Sequence, residues 1–154
     1  MQKVFEHEIC IGAMTPGLTR EKLWAGLEDF AHHPHEYVDS MQASRVRACP
    51  SDDGRRRLAR ELDFGGALTV ADAVELEAPG RLTTLVPACG PIPESRLDIT
   101  IEETPGGLAL RFVYYETPNA ESSALSAPMQ ALRQKAWAAK DQELVRQLSE
   151  ALGS

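Results

Sequence analysis

The sequence lacks the short motifs that identify several common classes of enzyme and binding protein. It has neither a Gly-x-Gly-x-x-Gly fingerprint nor a phosphate-binding loop, which argues against a bound dinucleotide or nucleoside triphosphate. Its three cysteines, Cys10, Cys49 and Cys89, are widely spaced and form no Cys-x-x-Cys pair. This spacing argues against zinc or redox chemistry and favours reduced thiols. We therefore expect no cofactor and no metal site.

Basic residues are also scarce relative to acidic ones. The chain has 16 Lys and Arg against 23 Asp and Glu, with a formal net charge of -7 at pH 7. Nucleic-acid binding is not expected, because it depends on clustered cations. The run Arg55-Arg56-Arg57, next to a turn predicted at Asp53-Gly54, is interpreted as a solvated hairpin shoulder, the alternative being an anion contact. Charges interrupt the apolar residues near Met1, so we expect no signal peptide, no membrane span and a cytoplasmic location.

What remains is the pattern of an α+β protein, and a length of 154 residues with 43% hydrophobic residues predicts one domain over 1–154. Alternating apolar and polar residues from Phe5 to Ile11 predict a strand. Thr19 is a suitable N-cap for a helix over 20–30, and Ser126 is a suitable N-cap for a long helix over 127–151. A further short turn is expected at 36–38. Between the helices, short alternating runs divided by Gly and Pro predict an antiparallel meander, with strands near 43–48, 57–64, 68–76, 82–86, 97–101 and 108–115.

Several segments together resemble a known family. They are Phe5-Glu6-His7-Glu8-Ile9, Leu18-Thr19-Arg20-Glu21-Lys22-Leu23-Trp24, Arg60-Glu61-Leu62-Asp63-Phe64-Gly65-Gly66, and Ile92-Pro93-Glu94-Ser95-Arg96-Leu97 followed by Thr100-Ile101-Glu102-Glu103. In this order they resemble the AtaL-like family of the START-like helix-grip (SRPBCC) superfamily. The resemblance implies a seven-stranded curved antiparallel sheet around the C-terminal helix. For function it implies a ligand cavity and no particular reaction, because the superfamily includes lipid carriers, hormone receptors, polyketide cyclases and chaperone activators.

The hairpin around Gly65-Gly66-Ala67 makes the sharpest local prediction. A three-residue loop there pairs Arg60 with Asp72 on adjacent strands. Both lie on the same inward face as Phe64, Leu68 and other apolar side chains. Opposite charges on an apolar face must be paired or hydrated. We interpret the pair either as a polar anchor for a ligand carboxylate, phenol or carbonyl, or as a structural ion pair at the sheet rim.

Histidines supply two further candidates. His7 shares the apolar face of the first strand, where an imidazole could act as general acid or base or be a hydrogen-bonded core residue. The cluster His32, His33 and His35 is interpreted as a polar loop, with metal ligation as the weaker alternative because Pro34 splits it and no i, i+4 ligand pair is present.

The main hypothesis is a pocket for a small hydrophobic or aromatic molecule, including one of polyketide type, between the sheet and the C-terminal helix. Side chains expected to turn inward and contact it, besides Arg60 and Asp72, are Trp24, Leu27, Tyr37, Phe64, Val86, Phe112, Tyr114, Met129, Leu132 and Trp137. The alternative for this set is a completely filled core. Two alternative functions remain: a cyclase or isomerase that uses His7, Arg60, Asp72 or Tyr114, and a protein-interaction module of chaperone-activator type. The expected assembly is a monomer or homodimer.

Overall fold

A computed structural model of the protein describes residues 1–50, 53 and 55–153. Over these residues the chain forms seven strands, three α-helices and one short 3₁₀ helix. Their bounds are β1 Gln2–Cys10, α1 Arg20–His32, the 3₁₀ helix Pro34–Glu36, β2 Ala43–Cys49, β3 Arg56–Asp63, β4 Thr69–Glu77, β5 Arg81–Val86, β6 Ser95–Thr104, β7 Gly107–Glu116, α2 Ala120–Ser123 and α3 Ala127–Leu152.

All seven strands form one antiparallel sheet in the order β1-β7-β6-β5-β4-β3-β2. The register between β3 and β4 places Arg60 opposite Asp72, as the hairpin pattern predicts. The loop is Gly65-Gly66-Ala67, with φ values of 82°, 58° and 67°. Two glycines suit this loop because side chains with a Cβ rarely adopt positive φ.

The helices begin where the sequence provides caps. The Thr19 hydroxyl accepts a hydrogen bond from the backbone N–H of Lys22 at the start of α1, and the Ser126 hydroxyl caps α3 in the same way. Helix α1 lies close to the end of α3, where a Cβ added to Gly26 would come within 3.2 Å of the Leu152 methyl groups. The contact brings the buried Leu148 of α3 into the core.

The core lies between the inner face of the sheet and the two longer helices. Its largest fully buried side chains include Phe112, Ile99 and Leu110 from the sheet, Leu27 from α1, and Leu148 from α3. This arrangement confirms the predicted α+β helix-grip class with a curved seven-stranded sheet around the C-terminal helix.

Several predicted boundaries need correction. Helix α1 continues to His32, two residues beyond the predicted end. Strand β6 spans residues 95–104, whereas the predicted span is 97–101. Helix α2 has no counterpart among the predicted elements. The predicted inward position of Leu68 is wrong, since the residue lies just outside β4 and is 57% exposed. The predicted turn at Asp53-Gly54 falls on Gly54, which lies outside the described residues. No helix in the described part of the chain has the length and apolar character needed to cross a membrane.

Candidate functional site: a cavity between the sheet and helix α3

A cavity of about 730 Å³ lies between the inner face of the sheet and α3. Its walls come from β3 to β7 and α3, and the segments 38–41 and 91–93 contribute to its rim. Ile92, at the rim, is 60% exposed, which indicates that the cavity opens to solvent there. The wall is largely apolar, with side chains that include Leu62, Phe64, Val70, Val86, Leu97, Ile99, Trp137 and Leu144.

A buried ion pair forms one polar part of the wall. The Arg60 Nε and Nη2 atoms donate to the two carboxylate oxygens of Asp72 at 2.8 and 2.7 Å, and Nη1 donates to the Ala31 carbonyl at 3.0 Å. The side chains are only 5% and 2% exposed. A guanidinium has five N–H groups, so these three bonds leave donor capacity beside the cavity. Both residues line the cavity, and Asp72 holds the guanidinium in a bidentate pair.

A second polar part of the wall is centred on Asp141 of α3, which is 1% exposed. Its carboxylate accepts from the Tyr114 hydroxyl at 2.8 Å on Oδ1 and 2.7 Å on Oδ2, and its Oδ2 lies 2.7 Å from His7 Nε2. Burial raises the pKa of the Asp141 carboxyl, although the positive charge of Lys140 and the bonds to His7 and Tyr114 act in the opposite direction. Burial and the neighbouring Asp141 carboxylate also raise the pKa of Tyr114.

Aromatic rings extend this wall along α3. Tyr114 stacks on Trp137 with ring centroids 4.7 Å apart and an angle of 11° between planes. The Arg133 guanidinium lies 4.8 Å from the centroid of the Trp137 ring, and Arg133 also pairs with Glu116. The Lys140 ammonium lies 5.4 Å from the centroid of Tyr114. A ligand in the cavity would therefore meet two aromatic rings with cationic side chains beside them.

The predicted contact residues separate into three groups. The first lines the cavity and consists of Arg60, Phe64, Asp72, Val86, Tyr114 and Trp137. The second is buried in the surrounding core and consists of Trp24, Leu27, Tyr37 and Phe112. The third group is exposed: Met129 is 47% exposed and Leu132 is 60% exposed. The prediction that their side chains turn inward is therefore wrong.

Helix α3 explains this error. The prediction followed its apolar residues and therefore chose Met129 and Leu132 in the first half of the helix. The face that lines the cavity carries Arg133 and Asp141 together with the predicted Trp137, at helical spacing from the buried Leu144. A helical projection extended back from Leu144 would identify Arg133 and Asp141, although both are charged.

The histidines also occupy separate positions. His7 is outside the set of residues that line the cavity, but it reaches the cavity wall through Asp141. In the cluster after α1, His32 Nδ1 contacts the Glu28 carbonyl, His33 contacts Asp29, and His35 contacts the Ser44 hydroxyl. Possible metal-ligand atoms in this region come together, among the described residues, at Asp29, His33 and Glu36, whose atoms lie within 4.8 Å of one another at the surface. Asp29 and His33 are four residues apart and contact each other, so the expectation that no i, i+4 ligand pair is present is wrong.

The curved sheet, the enclosing C-terminal helix and the cavity between them define a helix-grip protein of the SRPBCC-like fold. Solved structures support this class. They include TTHA0849 from Thermus thermophilus, at 14% identity with a TM-score of 0.61 over 98% of this chain and 97% of that one. MLL2253 from Mesorhizobium loti matches at 16% identity with a TM-score of 0.62, over 95% and 96% of the two chains.

A third structure is the di-domain ARO/CYC StfQ from the steffimycin biosynthetic pathway. It matches at 10% identity with a TM-score of 0.66, over 98% of this chain and 50% of that one. The sequence itself matches the model of the family described as "AtaL: Acetylaranotin biosynthesis cluster protein L" over residues 10–152. The chain therefore belongs to the AtaL family. No match to a curated protein sequence was found.

Proposed function

We propose that the protein binds a small, mostly apolar molecule in the cavity between its sheet and α3. The observation that carries this proposal is the cavity itself, at about 730 Å³. Ordinary protein interiors contain few voids larger than a water molecule, whereas small-molecule sites occupy about 300 to 1,000 Å³. A space of this size, with an apolar wall and a few polar groups, is typical of a binding site rather than of imperfect packing.

The wall favours a flat aromatic ligand that carries carbonyl or phenol oxygens. The rings of Tyr114 and Trp137, which both line the cavity, offer an aromatic surface on one side. Arg60 offers N–H donors on another side, and Asp72 fixes the orientation of its guanidinium. A polyketide-type compound has this combination of features. The description of StfQ as a di-domain ARO/CYC from the steffimycin biosynthetic pathway supports this choice of ligand class. The description of the AtaL family names a biosynthesis cluster and no ligand.

The two tryptophans provide a direct test. Trp137 lines the cavity, whereas Trp24 lies in the core outside it. The Trp24→Phe variant reports on the cavity through Trp137, and Trp137→Phe is the matched control that reports through Trp24. Titration with 1,8-dihydroxyanthraquinone is expected to quench the fluorescence of Trp24→Phe saturably. The Trp137→Phe protein should respond much less, because its remaining indole is shielded from contact with the ligand.

A second variant connects binding to the polar wall. Replacement of Arg60 by Met in the Trp24→Phe background is expected to weaken binding of the anthraquinone about tenfold or more, since a lost hydrogen bond to a charged group is worth about 1.5 to 3 kcal/mol. Equal, non-saturable quenching of both tryptophans would reject the cavity as the binding site. Full affinity in the Arg60→Met protein would leave the cavity but reject Arg60 as its anchor.

A further inference from the structure

The cluster of Asp141, Tyr114 and His7 joins three distant parts of the chain at one end of the cavity. Asp141 is on α3, Tyr114 on β7 and His7 on β1. Strands β7 and β1 are neighbours in the sheet. Packing alone would not require a carboxylate at this position, because burying a charged group is costly. The Asp141 carboxylate also contributes nothing that an apolar wall needs in order to hold a hydrophobic ligand.

The Asp141 carboxylate faces the cavity on one side and His7 on the other. Asp141 and Tyr114 line the cavity, where a ligand would contact them. His7 approaches from β1, is 18% exposed at its side chain, and does not line the cavity. Its ring lies between Phe5 and Phe112, at centroid distances of 5.0 and 5.3 Å. His7 therefore fixes the carboxylate from behind while the other side of the cluster faces the ligand space.

We propose that Asp141 is a catalytic acid–base residue that moves a proton between the α-carbon and the oxygen of a ketone held in the cavity. Tyr114 is its hydrogen-bonding partner in this reaction, and His7 is a positioning residue that acts through Asp141. The substrate class is an aromatic or fused-ring ketone with an enolisable C–H. This inference rests on the proposed function, because it requires a ligand in the cavity.

The step balances without any cofactor or external reactant. The Asp141 carboxylate removes the proton from the α-carbon, and the electron pair of the broken C–H bond forms the C=C bond of the enol. The carbonyl π electrons move to the oxygen, which takes a proton from the Tyr114 hydroxyl. The protonated Asp141 then returns its proton to the Tyr114 oxygen over a distance of 2.7 to 2.8 Å. The net reaction is conversion of the ketone to its enol, and the reverse reaction follows the same path.

The electrostatics of the site suit this role. A general base is most effective when its pKa approaches the working pH, and burial moves the pKa of Asp141 in that direction. Tyr114 from β7, His7 from β1 and Lys140 from α3 act directly on the carboxylate. The other charged side chains that line the same cavity are Arg60 on β3, Asp72 on β4, Arg96 on β6, Glu116 on β7, Glu121 near the start of α2, and Arg133 on α3.

Deuterium exchange of 2-tetralone tests the proposal. This aromatic ketone has acidic protons next to its carbonyl, and proton NMR in deuterium oxide follows their loss. The unmodified protein is expected to accelerate exchange at least about 100-fold over buffer, in line with general acid–base catalysis. Asp141→Asn keeps the shape of the side chain and should reduce exchange to near the buffer rate. Glu143→Gln, on the same helix but paired with Arg146 at the surface, is the matched control and should retain the full rate.

The pH profile tests the role assigned to His7. The base acts as a carboxylate, so the exchange rate should fall as pH decreases through the pKa of Asp141. The bond from His7 lowers that pKa, so its removal in His7→Phe should move the midpoint of the profile to higher pH. A merely structural contribution would lower the rate at every pH and leave the midpoint in place, and that result would overturn the positioning role.

Binding must be followed in parallel samples that carry Trp24→Phe, in which Trp137 is the remaining tryptophan. If 2-tetralone binds but exchange is no faster than in buffer, the catalytic proposal is overturned while the proposed binding function stands. If 2-tetralone does not bind even at its solubility limit, the catalytic proposal and the proposed binding of ketones are both overturned. Should Asp141→Asn fail to fold, the profile of the unmodified protein decides: a catalysed rate that rises with pH supports a carboxylate base, and a pH-independent rate contradicts it.

Discussion

Removing one partner of the Arg60–Asp72 pair tests whether this part of the cavity wall is desolvated. The Asp72→Ala substitution deletes two charge-assisted hydrogen bonds, at 2.8 and 2.7 Å. Among the described residues, it leaves the guanidinium bound only to the Ala31 carbonyl. Breaking a buried ion pair from one side typically costs about 3 to 5 kcal/mol. We expect about 3 kcal/mol, near the lower limit, because the cavity opens to solvent at its rim and water can reach the stranded guanidinium.

For a chain of this length, each kcal/mol of lost stability lowers Tm by about 2 to 4 °C, so Asp72→Ala should lower Tm by about 6 to 12 °C. Urea unfolding followed by far-UV circular dichroism measures the free energy directly. Replacing both partners, with Arg60→Met and Asp72→Leu together, should restore stability to within about 1 kcal/mol of the parent, because an apolar pair of similar volume fits an apolar wall.

The sheet offers a matched control for this experiment. Arg45 and Glu61 face each other on β2 and β3 at 2.7 Å, but their side chains are 85% and 56% exposed. Glu61→Ala should therefore change the unfolding free energy by no more than about 0.5 kcal/mol. If Asp72→Ala costs no more than Glu61→Ala, the Arg60–Asp72 pair is solvent-screened, and the argument that it is a desolvated ligand anchor fails.

Two further predictions concern α3. Leu148→Ala should lower the free energy of unfolding in urea by about 2 to 5 kcal/mol, because Leu148 is fully buried. Leu132→Ala, at a site 60% exposed, should change it by no more than about 0.5 kcal/mol. Equal effects of the two substitutions would contradict the described orientation of the helix. Folding raises the pKa of Asp141, so the contribution of this group to stability is fully present below its unfolded pKa of about 3.9 and is lost as pH rises through the folded pKa. The stability of the parent relative to Asp141→Asn, measured by urea unfolding at successive pH values, should therefore decline as pH rises from about 4, and an increase would contradict the assignment.

Local patterns predicted most of the fold because each element carries its own signal. The caps Thr19 and Ser126 mark the starts of the two longer helices, and glycines mark the hairpin that sets the β3–β4 register. Once that register is known, Arg60 and Asp72 must meet, because residues directly opposite on adjacent strands share a face. The pairing of these two side chains is therefore predictable from spacing alone.

Asp141 was not found in the same way because its environment is made by long-range contacts. Its partners His7 and Tyr114 are 134 and 27 residues away along the chain. Within α3, a charged residue normally indicates the solvent face, so the hydrophobic pattern selected Met129 and Leu132 instead. Sequence patterns locate apolar faces well, but they do not show where a helix passes over an unfilled space and can accommodate buried polar groups.

A crystal structure of the protein with 1,8-dihydroxyanthraquinone tests the central claim most directly. The expected result is electron density for the fused rings inside the cavity of about 730 Å³, against Trp137 and within hydrogen-bonding distance of Arg60. Side chains of the sheet and α3 that meet and close this space, with the compound absent or bound only on the outer surface, would contradict the account.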